Sequence, residues 1–110
     1  MTPSRLKDPL LDRLFQAILL LQTEEECYRF FEDLCTVPEL KALGQRLEVA
    51  RMLEADCTYT HIAERTGASP ATISRVKRAL HYGADGYKLI LHRLTVPEDR
   101  DNLRQADASL

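Results

Sequence analysis

Apolar residues recur along this chain at helical spacing, in segments that polar capping residues separate. Between residues 10 and 94 no segment alternates apolar and polar side chains as a half-buried strand does. The segments open instead with Asp, Thr or Ser residues, which are the preferred caps of helix N-termini. The pattern therefore predicts an all-α fold.

The first predicted helix opens near Asp8 and Pro9 and is apolar around most of its later circumference. Its apolar residues are Leu10, Leu11, Leu14, Phe15, Ala17, Ile18, Leu19, Leu20 and Leu21. Such a helix needs cover on more than one side. A chain of 110 residues leaves much apolar surface unburied unless a second subunit covers it, so we expect a homodimer.

Two capping boxes predict the next two helices. Thr23 with Glu26 precedes one apolar stripe, formed by Cys27, Phe30, Phe31, Leu34 and Cys35, which makes both cysteines candidates for the core. Thr36 with Glu39 precedes a helix whose apolar positions are Leu40, Leu43, Leu47, Ala50 and Leu53. Gly44 lies inside this helix, so either another backbone crosses closely there or the position is simply tolerant.

Two short helices joined by a glycine turn follow, and they fit a helix-turn-helix over about residues 59–80. Thr58 and Ser69 are the expected N-caps, and Gly67 supplies the left-handed conformation that the turn needs. The sealing positions are apolar or small, namely Ile62, Ala63, Ala68, Ile73 and Val76.

A last helix is predicted to begin near Asp85 and to end at Pro97. Beyond Pro97 the sequence has almost no apolar content. We therefore expect one helical domain over residues 1–97 and a polar, disordered tail over residues 98–110.

The net charge of −2 conceals an uneven distribution of charge. Between Ile73 and Arg93 there are five cations and one anion, a local net charge of +4, so the remainder carries −6. No carboxylate lies between Glu64 and Asp85. A basic segment on an acidic body can bind a polyanion whatever the total charge.

The second helix of the helix-turn-helix has short side chains toward its N-terminus, which permit approach to base edges, and cations farther along that suit phosphate or guanine. The candidate DNA-binding residues are Ser69, Pro70, Ala71, Thr72, Ser74, Arg75, Lys77, Arg78 and Lys88. We interpret the chain as a sequence-specific, double-stranded-DNA-binding transcriptional regulator. The alternative is a helical protein-interaction module whose helix-turn-helix no longer reads DNA. The absence of carboxylates from the second helix favours DNA, because a surface used for protein packing has no reason to exclude them.

Two runs of residues, Ala42-Leu43-Gly44-Gln45-Arg46 and Gly67-Ala68-Ser69-Pro70-Ala71-Thr72-Ile73-Ser74-Arg75, occur in this order. They resemble the Trp repressor family, and the stretch Leu80-His81-Tyr82-Gly83-Ala84-Asp85-Gly86-Tyr87-Lys88 is similar to the family's Trp-repressor-related branch of the YerC/YecD type. The resemblance covers roughly residues 10–94. It implies an intertwined, all-helical homodimer that acts as a bacterial transcription regulator, most simply a repressor.

The resemblance also implies where an effector would bind. In the Trp repressor, tryptophan lies between two arginines that match Arg46 and Arg75 here. The glycine that follows the second arginine in the family is Val76 in this chain, and a serine three residues further on is matched by Ala79. We interpret these four positions as a vestigial effector pocket, and we do not expect L-tryptophan to bind.

Other chemistries find no support in the sequence. The histidines, His61, His81 and His92, have no metal-ligand spacing with each other or with the three cysteines, Cys27, Cys35 and Cys57, which lack a C-x-x-C pair. There is no glycine-rich phosphate loop or nucleophile elbow. We expect no enzyme activity, metal or cofactor. The longest apolar run, residues 17–21, is too short for a membrane span, so we expect a cytoplasmic, nucleoid-associated protein.

Overall fold

A computed structural model of the chain describes residue 5 and residues 7–94, which form six α-helices and no strand. The helices are α1 (Pro9–Ile18), α2 (Glu24–Leu34), α3 (Val37–Glu54), α4 (Tyr59–Thr66), α5 (Pro70–Tyr82) and α6 (Gly86–Leu94). The chain divides into two compact units, Met1–Leu40 and Lys41–Leu110. The predicted all-α fold is confirmed. The predicted helix end at Pro97 and the tail over residues 98–110 lie outside the described residues.

In the first unit, α1 begins as predicted, because the Asp8 carboxylate caps it by accepting a hydrogen bond from the Leu10 N–H at 2.7 Å. The helix ends at Ile18, so the prediction of a helix through Leu21 is wrong by about one turn. The N–H groups of Leu20 and Leu21 donate to carbonyls three residues back rather than four, which tightens and ends the helix.

α2 begins at the predicted capping box, with one difference in its hydrogen bonds. The Thr23 hydroxyl accepts from the Glu26 N–H at 3.0 Å, whereas the Glu26 carboxylate accepts from the N–H of Gln22, one residue before the cap, at 2.9 Å. No residue of α1 or α2 is buried within one chain. Cys27 and Cys35 are half-buried within one chain, which is less burial than their spacing predicts.

α3 has the complete reciprocal capping box that the sequence predicts. The Glu39 carboxylate accepts from the Thr36 N–H at 2.8 Å, and the Thr36 hydroxyl accepts from the Glu39 N–H at 3.3 Å. The hydrogen bond that the Glu39 carboxylate accepts from the Thr36 N–H lowers the pKa of the Glu39 carboxyl. A hydrogen bond between this carboxylate and the Thr36 side chain lowers it further. The box fixes the first turn of α3 around Pro38.

The hydrophobic core lies in the second unit and draws on α3, α4, α5 and α6. Its buried residues are Val49, Ala50, Met52, Ile62, Ala68, Ile73, Val76, Leu80 and Leu91. The sealing positions predicted for the helix-turn-helix, Ile62, Ala68, Ile73 and Val76, are all buried, and Ala63 packs against them. Val49 and Met52 were not predicted to be buried. α6 begins at Gly86, one residue after the predicted start.

Two glycines of this unit stand in opposite surroundings. Gly67 ends α4 in the left-handed region at φ 72°, and its N–H donates to the Ala63 carbonyl at 2.9 Å. A Cβ added there would meet the Gln45 amide only at 4.0 Å, so backbone strain and not crowding favours glycine. Gly44 lies inside α3, and a Cβ added to it would meet nothing within 4 Å. Within one chain Gly44 is therefore the tolerant position of the two alternatives.

Alanine substitutions at these two glycines should change stability in opposite directions. Gly67→Ala should lower the free energy of unfolding by about 1–2 kcal/mol, because alanine is strained at positive φ. Gly44→Ala should raise it by about 0.5–1 kcal/mol through helix propensity. Urea unfolding followed by circular dichroism at one fixed protein concentration measures both. A destabilising Gly44→Ala would show that a second backbone crosses α3 in the assembled protein.

Candidate nucleic-acid interface

The turn between α4 and α5 is held by a small hydrogen-bond network around Thr66. The Thr66 hydroxyl donates to the Ile62 carbonyl at 2.7 Å and accepts from the Ala68 N–H at 3.1 Å. The Gln45 side-chain amide, from α3, donates to the Thr66 carbonyl at 3.0 Å. The bond from Gln45 satisfies the Thr66 carbonyl, one of the last four carbonyls of α4, which have no partner within the helix. The turn is thereby fixed both to α4 and to α3.

The N-terminus of α5 is capped by one of the candidate DNA-binding residues. The Ser69 hydroxyl accepts from the Thr72 N–H at 3.1 Å and donates to the Thr72 hydroxyl, also at 3.1 Å. Pro70 occupies the first helical position, where its missing N–H costs nothing. Since the Thr72 oxygen accepts from Ser69, the Thr72 hydroxyl keeps a hydrogen that it can donate to another group.

α5 has one sealed face and one open face. Ile73, Val76 and Leu80 are buried, at the i, i+3 and i+7 spacing of a single helix face. Most of the other candidate residues are exposed, namely Ser69, Pro70, Ala71, Ser74, Arg75, Lys77 and Arg78, whereas Thr72 is half-buried. Lys88 is exposed on α6. All nine candidate residues lie in the second unit.

The cations of α5 are available for a partner. The described part of the chain contains the ion pairs Lys7–Asp12 and Arg51–Glu48. Within that part, no cation of α5 forms an ion pair. The Lys77 ammonium instead lies over the ring of Tyr59, the first residue of α4, at 5.4 Å from the ring centroid. The open face of α5 thus combines positive charge with an absence of acidic neighbours along its own helix.

The four positions predicted to form a vestigial effector pocket differ in burial. Arg46 on α3 and Arg75 on α5 are exposed, and Ala79 is half-buried. Val76 is 3% exposed and belongs to the hydrophobic core. Its isopropyl group therefore contributes to the seal of the helix-turn-helix.

Two residues of this interface were not found by sequence reasoning. Gln45 lies inside the run Ala42 to Arg46, but nothing local indicates that its amide reaches a carbonyl 21 residues later. Tyr59 is an aromatic residue at the first, half-exposed position of a helix, which was the available signal. Neither contact follows from spacing within one helix, because each joins two helices.

Comparison with known proteins identifies the family. The model of the Trp repressor protein family matches residues 10–95, and the chain belongs to this family. The chain is 56% identical over 94 residues to the uncharacterized protein YerC of Bacillus subtilis (strain 168), which covers 86% of this chain and 90% of that protein. The expected resemblance to the YerC type is confirmed.

Two solved structures show the same fold. The crystal structure of a candidate Trp repressor from Staphylococcus aureus has a TM-score of 0.79 and 54% identity, covering 82% of this chain and 90% of that one. A TrpR-like protein from Eubacterium eligens ATCC 27750 has a TM-score of 0.79 and 56% identity, covering 82% and 93%. The fold is Trp repressor-like. Family and fold support DNA binding and transcription regulation, and the family is one of non-enzymatic regulators. None of the described helices could cross a membrane.

Proposed function

We propose that this protein is a sequence-specific, double-stranded-DNA-binding transcription regulator, a repressor, that acts as a homodimer through its helix-turn-helix. The observation that carries the proposal is the exposure of three cations of α5, Arg75, Lys77 and Arg78, which form no ion pair within the described residues. DNA requires this sign of charge, and the phosphate backbone dominates affinity. Such a regulator acts in the bacterial cytoplasm, on the nucleoid.

α5 is the helix that enters the major groove in this proposal. Its N-terminal side chains are short, so that Ala71, Thr72 and Ser74 reach base edges, with Arg75 able to donate to guanine. Lys77, Arg78 and Lys88 contact phosphates. A twofold dimer places two such helices about 34 Å apart, on a pseudo-palindromic site.

The homodimer is supported by the first unit. α1 and α2 bury no residue within one chain, although α1 is apolar. Leu10 is 80% exposed and Leu19 is 83% exposed, and Phe15, Leu20, Tyr28, Leu34 and Val37 are further large apolar side chains at the surface. Burial of each such side chain contributes about 1.5–3 kcal/mol. A second copy of the chain, with the same unsatisfied helices, is the proposed cover.

Substitutions on α5 should separate the residues that bind phosphates from those that read bases. Lys77→Ala or Arg78→Ala should weaken binding to all duplexes. Each should also make the fall of log affinity with log salt less steep, by about one unit of slope for each phosphate that the variant no longer neutralises. Thr72→Val or Ser74→Ala should instead change the preference between sites by about 1–3 kcal/mol for each base that the side chain reads. Gel shifts on selected duplexes at several salt concentrations measure both.

The matched control for these variants is Lys41→Ala, which removes an exposed lysine of α3. It should leave the salt slope unchanged. Wild-type affinity in both Lys77→Ala and Arg78→Ala would contradict the assignment of α5 to the DNA backbone. If no duplex is selected at all, the protein-interaction module becomes the better description.

Light scattering after gel filtration should give about twice the 12.6 kDa chain mass. Leu14→Glu, at a half-buried position of α1, should dissociate or unfold the dimer, because a charge buried without a partner is costly. Gln16→Glu, at an exposed position of the same helix, should leave the dimer intact. A wild-type chain that is fully folded and monomeric at micromolar concentration would contradict the proposal.

L-tryptophan should not bind. Placing an indole where the two methyl groups of Val76 are packed would cost about 1–3 kcal/mol or more in strain. Titration calorimetry should therefore show no heat of binding up to millimolar ligand. Weak binding that appears in Val76→Gly, in protein verified as folded, would support this cause, whereas a micromolar dissociation constant for the wild type would refute it.

A further inference from the structure

Lys77 and Tyr59 form a contact that joins the two helices of the helix-turn-helix on their accessible side. Tyr59 is the first residue of α4 and is 39% exposed, and Lys77 lies in the middle of α5. The ammonium is 5.4 Å from the ring centroid, within the distance of about 6 Å at which a cation is attracted to an aromatic face. Lys77 forms no ion pair within the described part of the chain. The ring is therefore the group that holds this ammonium.

The cleft that Lys77 lines also has acidic residues in its lining. Tyr59 and Lys77 line a surface cleft of about 390 Å³ together with Glu54, Asp56 and His81. A lysine side chain is a flexible chain of four methylene groups, and its ammonium is a strongly hydrated point charge that moves readily between partners. An ammonium drawn to Glu54 would be neutralised and withdrawn from a polyanion. A neutral ring attracts the ammonium without neutralising it.

We propose that Tyr59 is a positioning residue for DNA binding: its ring keeps the Lys77 ammonium at the accessible edge of the helix-turn-helix and away from the carboxylates of the cleft. The inference rests on the proposed function, since it assigns Lys77 to a phosphate. The ring and not the hydroxyl carries the role, because the cation interacts with the aromatic face. Phenylalanine should therefore substitute for Tyr59, and leucine should not.

A double-mutant cycle tests this inference on the full-length protein, with duplexes selected by the wild type. Tyr59→Leu should weaken binding about two- to fivefold per subunit and lower the salt slope toward that of Lys77→Ala. Tyr59→Phe should retain the wild-type affinity and slope. In the Lys77→Ala background, Tyr59→Leu should have no further effect, because a residue that acts through Lys77 has nothing left to position. Tyr82→Leu removes an exposed tyrosine that contacts His81, and is the matched control.

Two results would overturn the inference. Equal reductions in affinity in Tyr59→Phe and Tyr59→Leu would show that the hydroxyl contacts DNA directly. Additive reductions from Tyr59→Leu and Lys77→Ala would show that the two residues act independently.

A measurement without DNA separates this inference from the proposed function. Ring currents should shift the ε-methylene protons of Lys77 upfield in the wild type and in Tyr59→Phe, and the shift should disappear in Tyr59→Leu. An unshifted Lys77 in a wild-type protein that binds DNA would contradict the inference alone. A shifted Lys77 in a protein that selects no duplex would contradict the proposed function, and with it the role assigned to the pair.

Discussion

The helix-turn-helix depends on one apolar seal, in which Ile62 of α4 shares a buried cluster with Ile73 and Val76 of α5. Each of these side chains contributes about 1.5–3 kcal/mol through burial, more than the roughly 0.5–1.5 kcal/mol of a typical hydrogen bond such as that from Gln45 to Thr66. The seal therefore holds the helix pair, and the hydrogen bonds refine the turn. Because a helix has about 3.6 residues per turn, fixing the buried face of α5 also fixes which side chains face outward.

The sequence predicted those features whose causes are local. Caps such as Thr36 and Ser69, the left-handed Gly67 and the sealing positions of the helix-turn-helix follow from the chemistry of a few neighbouring residues, and the structure confirms them. The burial of Val49 and Met52 was not predicted, because these residues lie outside the apolar stripe that includes Leu47, Ala50 and Leu53. Burial on several sides of a helix depends on which other helices pack against it.

The contacts that organise the candidate interface were missed for a related reason. The hydrogen bond from Gln45 and the ring beneath Lys77 both join helices that are separated by a turn, so their partners are set by tertiary packing. The end of α1 was missed because the apolar pattern continues past Ile18. An apolar pattern indicates which side chains need to be buried. It does not show whether those side chains lie on a continuing helix or on a turn that follows it.

Val76 occupies a position that the resemblance assigns to an effector pocket, and in this chain its side chain belongs to the structural seal. A glycine there leaves space for a ligand but lacks the burial of an isopropyl group, and it lowers helix propensity by about 1 kcal/mol. With valine, the open face of α5 is held in place by the core itself, whether or not a small molecule is present. Under the proposed function, DNA binding therefore needs no corepressor to hold α5 in place.

The unburied helices α1 and α2 also bear on the life of the protein in the cell. A segment with no buried residue has low local stability and opens frequently, and proteases cut the opened state. Under the proposed function, a newly made chain is therefore vulnerable at α1 and α2 until a second copy covers them. Since formation of the proposed homodimer would depend on concentration, turnover would be fast when copies are few and slow when they are many. The lifetime of this regulator would then rise with its own abundance, which makes its level respond more than proportionally to its rate of synthesis.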